Sequence, residues 1–187
     1  MKKLAILASH NGSVLEPILE AIKEKKLPLE VTLIISNNAN AVVLTKAKKY
    51  QIPHALINTQ TSKDPDSVLF DILKKESVDI VLLAGYMKKI PAVLTQSFFI
   101  LNSHPALLPN YGGKGMYGRY VHEAVINNRE KESGVTVHRV NEAYDEGAII
   151  LQKSCLLSED ETVASLEEKV KKLEKEAVIE ALELCLK

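Results

Sequence analysis

Apolar residues fall in short unbroken runs through the first half of the chain, and between those runs they recur at helical spacing. Lys3-Leu-Ala-Ile-Leu-Ala8, Glu30-Val-Thr-Leu-Ile-Ile-Ser36, His54-Ala-Leu-Ile57 and Asp79-Ile-Val-Leu-Leu-Ala84 predict four buried strands. Helices are predicted from Val14 to Lys26, with Leu15, Ile18, Leu19 and Ile22 on one face, and from Ala39 to Tyr50. A third runs from Ser67 to Glu76, with Val68, Leu69, Ile72 and Leu73 facing inward. Continuous apolar strands separated by amphipathic helices are the pattern of a parallel sheet covered on both faces. Right-handed crossovers then predict an α/β fold built on an open, mostly parallel, doubly wound, Rossmann-like sheet.

The texture changes after a fifth apolar run, Phe98-Phe-Ile-Leu101. Residues Tyr111 to Gly118 hold four of the eight glycines, which predicts a backbone-exposing loop, and a short helix is expected from Tyr120 to Asn127. Val135 to Val140 alternates cleanly, and Ala148 to Gln152 reads as a partner strand, so the two predict a C-terminal hairpin extending the sheet. From Glu161 a final long helix carries Val163, Leu166, Val170, Leu173 and Ala177 on one stripe. Glu180 lands on that stripe, which argues for docking on the sheet and against a coiled-coil seam. The expected organisation is one domain over residues 1–187.

Charge narrows the partners. The 24 basic and 24 acidic side chains cancel, so no general field gathers nucleic acid or an anionic membrane, and any anion must be held locally. Only Cys155 and Cys185 carry thiols, no secretory signal opens the chain, and no apolar run reaches membrane-spanning length, so a cytoplasmic setting is expected.

In doubly wound sheets ligands bind beyond the carboxyl ends of the strands. Ser9-His-Asn-Gly-Ser13, Gly85-Tyr-Met-Lys88 and Asn102-Ser-His-Pro105 each follow a predicted strand, so three polar loops are expected on one rim. Asn11-Gly12-Ser13 precedes a helix start, where free N–H groups and the helix dipole favour a phosphate; a serine N-cap on a tight turn accounts for it equally well. Neither the three-glycine dinucleotide pattern nor Gly-Lys-Ser/Thr is present.

Asn102 and His104 lie two apart and so share a face in extended chain, where an amide and an imidazole suit a developing oxyanion. Asp145 stands in a loop two residues before Gly147, and a carboxylate near a histidine favours the charged imidazole and fixes its orientation. Singly, each has an ordinary structural reading. His104, His122 and His138 match no metal-ligand spacing, so no metal is expected, and His10 and His54 read as surface or loop histidines. The absence of a Gly-x-Ser-x-Gly elbow disfavours a serine hydrolase.

Taken together, Leu101-Asn-Ser-His-Pro-Ala-Leu-Leu-Pro109, Gly134-Val-Thr-Val-His138 and Tyr144-Asp-Glu-Gly147 resemble the signature of the folate-dependent formyltransferases. Over nearly the whole chain the likeness is to the branch of that family that formylates glycinamide ribonucleotide in purine biosynthesis. The resemblance implies 10-formyltetrahydrofolate as co-substrate and small molecules as the only substrates. It implies Asn102 and His104 as transition-state stabilisers with Asp145 as their organiser, and Asn11, Gly12, Ser13 and Val14 around the substrate phosphate. Lys63, Met87, Lys88, Lys89, Ile90 and Asn102, with Asn141, Glu142, Ala143, Tyr144 and Asp145, would contact the folate, and Glu174 the glycinamide. Val14 after Ser13, Lys88-Lys89, His10 and Lys175 depart from the usual pattern. A monomer or weak homodimer is expected. The alternatives are formyl transfer to another amine, such as a nucleotide-linked amino sugar, and a noncatalytic nucleotide-binding module.

Overall fold

The computed structural model describes residues 1–187, which divide into two compact units, Met1–Leu101 and Asn102–Lys187. The strand order is β3 (His54–Leu56), β2 (Leu29–Ser36), β1 (Lys2–Leu7), β4 (Ile80–Leu83), β5 (Phe99–His104), β6 (Glu132–Arg139), β7 (Ile149–Leu156), one of the orders in which doubly wound sheets are built.

In the first unit β1 (Lys2–Leu7) lies between β2 (Leu29–Ser36) and β4 (Ile80–Leu83), parallel to both, and β3 (His54–Leu56) pairs parallel with β2. Leu4, Ala5, Ile6, Leu33, Ile34, Ile35, Val81 and Leu82 are all buried, as expected of strands with no solvent face. The helices are α1 (Leu15–Lys23), α2 (Val42–Lys49), α3 (Pro65–Lys75) and α4 (Ala92–Ser97). Asp64 caps α3, its carboxylate accepting from the Ser67 N–H at 3.1 Å, with Pro65 in the first turn where no N–H is needed. That cap starts the helix two residues before the apolar spacing does. Leu69 and Leu73 are buried as expected, while Val68, at the edge of their stripe, is 41% exposed, contrary to its expected inward position. The six residues of α4 are too few to show a period, and the sequence pattern missed them.

The second unit is a hairpin with two helices. β6 (Glu132–Arg139) and β7 (Ile149–Leu156) pair antiparallel, with Val135 opposite Lys153 and Val137 opposite Leu151. α5 (Arg119–Asn127) packs against α6 (Val163–Leu186), which in turn covers β6 and β7. A reciprocal capping box opens α6: the Ser165 N–H donates to Thr162 Oγ1 at 3.1 Å and the Thr162 N–H to Ser165 Oγ at 3.0 Å. The buried stripe is Leu166, Val170, Ala177, Val178, Ala181 and Leu182. It drifts past the stripe read from the sequence, so Glu180 falls outside it and pairs with Lys153 of β7 at 2.7 Å. Burying each of the larger side chains contributes roughly 1.5–3 kcal/mol, which makes docking rather than propensity the main source of this helix's stability.

Candidate active site

β5 is longer than its apolar run because Asn102, Ser103 and His104 continue the strand, with burial that alternates little: Ser103 is 7% and His104 3% exposed. The segment after it is held down from the hairpin. Thr136, wholly buried on β6, donates its hydroxyl to the Ala106 carbonyl at 2.7 Å and accepts from the Leu108 N–H at 3.0 Å. Gln152 of β7 donates to the Leu108 carbonyl at 2.8 Å and to Thr136 Oγ1 at 2.9 Å. The strand that presents Asn102 and His104 therefore leads into a segment whose polar groups are paired before any ligand binds.

Asp145 arrives from the loop between β6 and β7 with φ of 59°, a left-handed conformation that a short polar side chain tolerates. Its Oδ2 lies 3.5 Å from His104 Nδ1 and accepts the Gly113 N–H at 2.9 Å. Its Oδ1 lies 3.5 Å from His138 Nε2. A β-carbon at Gly112 would stand 2.5 Å from Leu108 Cδ2 and 3.2 Å from Asp145 Cβ, so the absence of a side chain lets the Gly-rich loop close on the carboxylate. The amide, imidazole and carboxylate expected from distant stretches thus lie together in the second unit.

His138 completes the group and was missed. In the sequence it was weighed and set aside as a metal ligand and stood within the Gly134-Val-Thr-Val-His138 motif with no role of its own, yet it is 2% exposed and its Nε2 lies 3.1 Å from Asn102 Nδ2. Its Nδ1 faces the Arg139 carbonyl at 3.0 Å; a carbonyl only accepts, so Nδ1 carries the proton and Nε2 accepts from the Asn102 amide. One Asn102 N–H stays available for a ligand. Alternation places His138 with Thr136 on the face opposite Val135 and Val137, so its burial was not legible in the strand pattern; its place in the Gly134-Val-Thr-Val-His138 motif was the signal that could have found it.

His104 Nε2 donates to the Tyr111 carbonyl at 2.7 Å, which fixes that nitrogen as protonated. Burial lowers the His104 pKa below 6.5 and outweighs Asp145 and the Tyr111 carbonyl, which raise it. This corrects the sequence expectation of a charged imidazole: in the free protein desolvation wins and His104 is neutral near neutral pH. Burial pushes Asp145 upward, but the neighbouring rings of His138 and His104 and the Gly113 N–H together hold it below its ordinary 3.8.

Glu174 of α6 accepts from Ser103 Oγ at 2.5 Å and is thereby tied to β5. In the first unit, Gly12 and Val14 are buried, Ser13 is half-buried and Asn11 exposed. The N-cap of α1 is Val14, with no side-chain hydrogen bond, so Ser13 is not the helix cap that offered the simpler reading of this loop. Met87 is 43% exposed and Lys89 exposed, Lys88 is half-buried, and Ile90 is buried. Lys63 is exposed, as are Asn141, Glu142, Ala143 and Tyr144, where the Ala143 N–H donates to Asn141 Oδ1 at 3.1 Å. His10 and His54 are exposed, the latter on β3.

An amide, two imidazoles and a carboxylate meet at the end of an α/β sheet, a set of groups chemically able to stabilise an oxyanion. The chain belongs to the formyl transferase family, whose model matches residues 2–182. It is 37% identical to phosphoribosylglycinamide formyltransferase of Haemophilus influenzae, covering 93% of this chain and 82% of that protein. It is 40% identical to the chloroplastic phosphoribosylglycinamide formyltransferase of Arabidopsis thaliana over 90% of this chain, but spans only 60% of that protein's length. Among solved structures, glycinamide ribonucleotide transformylase 1 from Geobacillus kaustophilus superposes with a TM-score of 0.91 at 30% identity, covering 100% of both chains.

Proposed function

We infer that this chain transfers a formyl group from 10-formyltetrahydrofolate to the amine of glycinamide ribonucleotide, a step of purine biosynthesis, in the cytoplasm. The observation that carries the reading is Asp145 facing His104 and His138 at 3.5 Å each while His138 accepts from Asn102. The formyl-folate supplies an activated carbonyl. Asn102, through its remaining N–H, and His104, through Nε2 once the Tyr111 carbonyl yields it, are the donors to the oxyanion formed by amine attack. His104 is neutral beforehand; the growing negative charge favours uptake of a proton from solvent at Nδ1, opposite Asp145. That proton returns to solvent when the oxyanion collapses, so the strongest attraction arises only as the reaction proceeds. A water at Asp145 then carries the proton that the attacking amine must lose to N10 of the folate, and the bond from N10 to the formyl carbon breaks as the carbonyl re-forms.

Asn11, Gly12, Ser13 and Val14 serve the substrate phosphate, supported by a helix start that carries no side-chain cap. Met87 to Ile90, Lys63 and the exposed backbone of Asn141 to Asp145 serve the folate, and Glu174 the glycinamide. Anchoring each substrate away from its reacting atom converts a bimolecular encounter into a local one. Incubation with glycinamide ribonucleotide and the formyl-folate, followed by the absorbance change of the folate, tests the reading. Turnover that needs both substrates supports it; turnover with a nucleotide-linked amino sugar but not glycinamide ribonucleotide, or none with either, overturns it.

A further inference from the structure

Ser9 follows β1 and is 2% exposed, and its polar groups are taken up by the segments that follow other strands. Its hydroxyl accepts from the Met87 N–H at 2.7 Å, beyond β4, and donates to Asn37 Oδ1 at 2.5 Å, beyond β2. Its N–H donates to the Gly85 carbonyl at 3.1 Å, and its carbonyl accepts from Asn38 Nδ2 at 2.9 Å. Asn37 is held in turn, its carbonyl accepting from Asn58 Nδ2 at 3.1 Å beyond β3. A serine serving only its own turn bonds backbone a few residues away. The hydroxyl partners of Ser9 lie 78 and 28 residues distant.

Ser9 stands two residues before Asn11, where the phosphate-binding segment begins, and Met87, which it grips, opens the folate-binding segment. We propose that Ser9 is a positioning residue whose hydroxyl fixes these two segments to each other before either substrate binds. The proposal rests on the functional reading above for what each segment holds. Its physical basis is that the hydroxyl has one proton to give and has given it to Asn37, which leaves its lone pairs aimed at the Met87 N–H. Ser9 itself is 2% exposed, so its hydroxyl has little access to a solvent partner in place of either bond.

The test compares the full chain with Ser9→Ala. The KM of each substrate is expected to rise about five- to tenfold, the worth of one buried hydrogen bond, with kcat changing less than about threefold. In the ligand-free protein, hydrogen exchange should accelerate together at the amides of residues 10–14 and 85–88. Asn37→Ala removes the acceptor that orients the hydroxyl, gives the same pattern at smaller amplitude, and stands in if Ser9→Ala does not fold. Thr95→Val removes another buried hydroxyl, bonded to Ala92 within α4, and is expected to lower stability with both KM values unchanged. Both KM values staying within about twofold in Ser9→Ala, less than one such bond is worth, or faster exchange in one segment alone, would overturn the proposal. An inactive parent chain would overturn the functional reading instead, and the exchange experiment, which needs no substrate, still decides the role of Ser9.

Discussion

Gly147 approaches Arg139 so closely that a β-carbon on it would lie 1.6 Å from the Arg139 carbonyl oxygen and 2.7 Å from its carbonyl carbon. The contact closes the loop between β6 and β7, and Asp145 sits inside that closure. Gly147→Ala must therefore push the loop off Arg139. Overpacking costs typically 1–3 kcal/mol, roughly, and more when the obstructing atom is backbone. A urea unfolding curve should show that loss, and formyl transfer should fall further than stability does because Asp145 moves with the loop.

Removing either proposed donor to the oxyanion is the direct test of the cluster. Asn102→Ala or His104→Ala is expected to lower kcat about a hundredfold or more, since one preorganised donor contributes roughly 3–4 kcal/mol. Circular dichroism should confirm the fold. Near-parental turnover in either folded variant would remove that residue from the mechanism.

His138 touches both Asn102 and Asp145, so it is expected to act through them. His138→Ala should reduce kcat about tenfold to a hundredfold by letting the amide and carboxylate drift, while leaving the KM of glycinamide ribonucleotide within a factor of about two. Steady-state kinetics separates the two effects. A change confined to KM would contradict this role.

Acid should weaken the protein in two stages. His104 and His122 both lie below the ordinary histidine value of 6.5, in each case chiefly because burial disfavours the charged ring. As pH falls the unfolded chain takes up these protons first, so stability present above about pH 6.5 is lost as pH drops through the folded values. Asp145, held below 3.8, adds a further loss only in stronger acid, as pH falls through its own folded value. Urea midpoints at about pH 7.5 and 5.5 should differ in this sense, and His122→Asn should shrink the difference. A midpoint that rises on acidification would contradict the directions given.

Thr162 offers a prediction about the fold alone. Thr162→Ala breaks the capping box of α6 and should cost about 1 kcal/mol in unfolding experiments, with kcat unchanged.

Most of the architecture was legible because it depends on local regularities. The apolar runs that became β1, β2 and β4 are buried on both faces, β6 announced itself by alternation, and β7 followed as its partner strand after a Gly-containing loop. What failed did so for identifiable reasons. Val68 lies at the edge of the stripe that Leu69 and Leu73 define, where apolar spacing alone does not tell a buried position from a half-exposed one. Asn102-Ser-His104 looked like loop because polar residues in a strand are justified only by partners elsewhere, here His138, Glu174 and Asp145.

The sequence by itself determined the sheet's periodicity, the glycines that free the loops, and the presence of an amide, an imidazole and a carboxylate at the ends of expected elements. Only the tertiary structure decided that His138 joins them, that Thr136 and Gln152 hold the chain after His104, and that His104 rests uncharged. Period and turn chemistry are properties of neighbouring residues. A hydrogen bond between positions 36 residues apart, or the burial that discharges an imidazole, exists only once the chain has brought distant surfaces together and expelled the water between them.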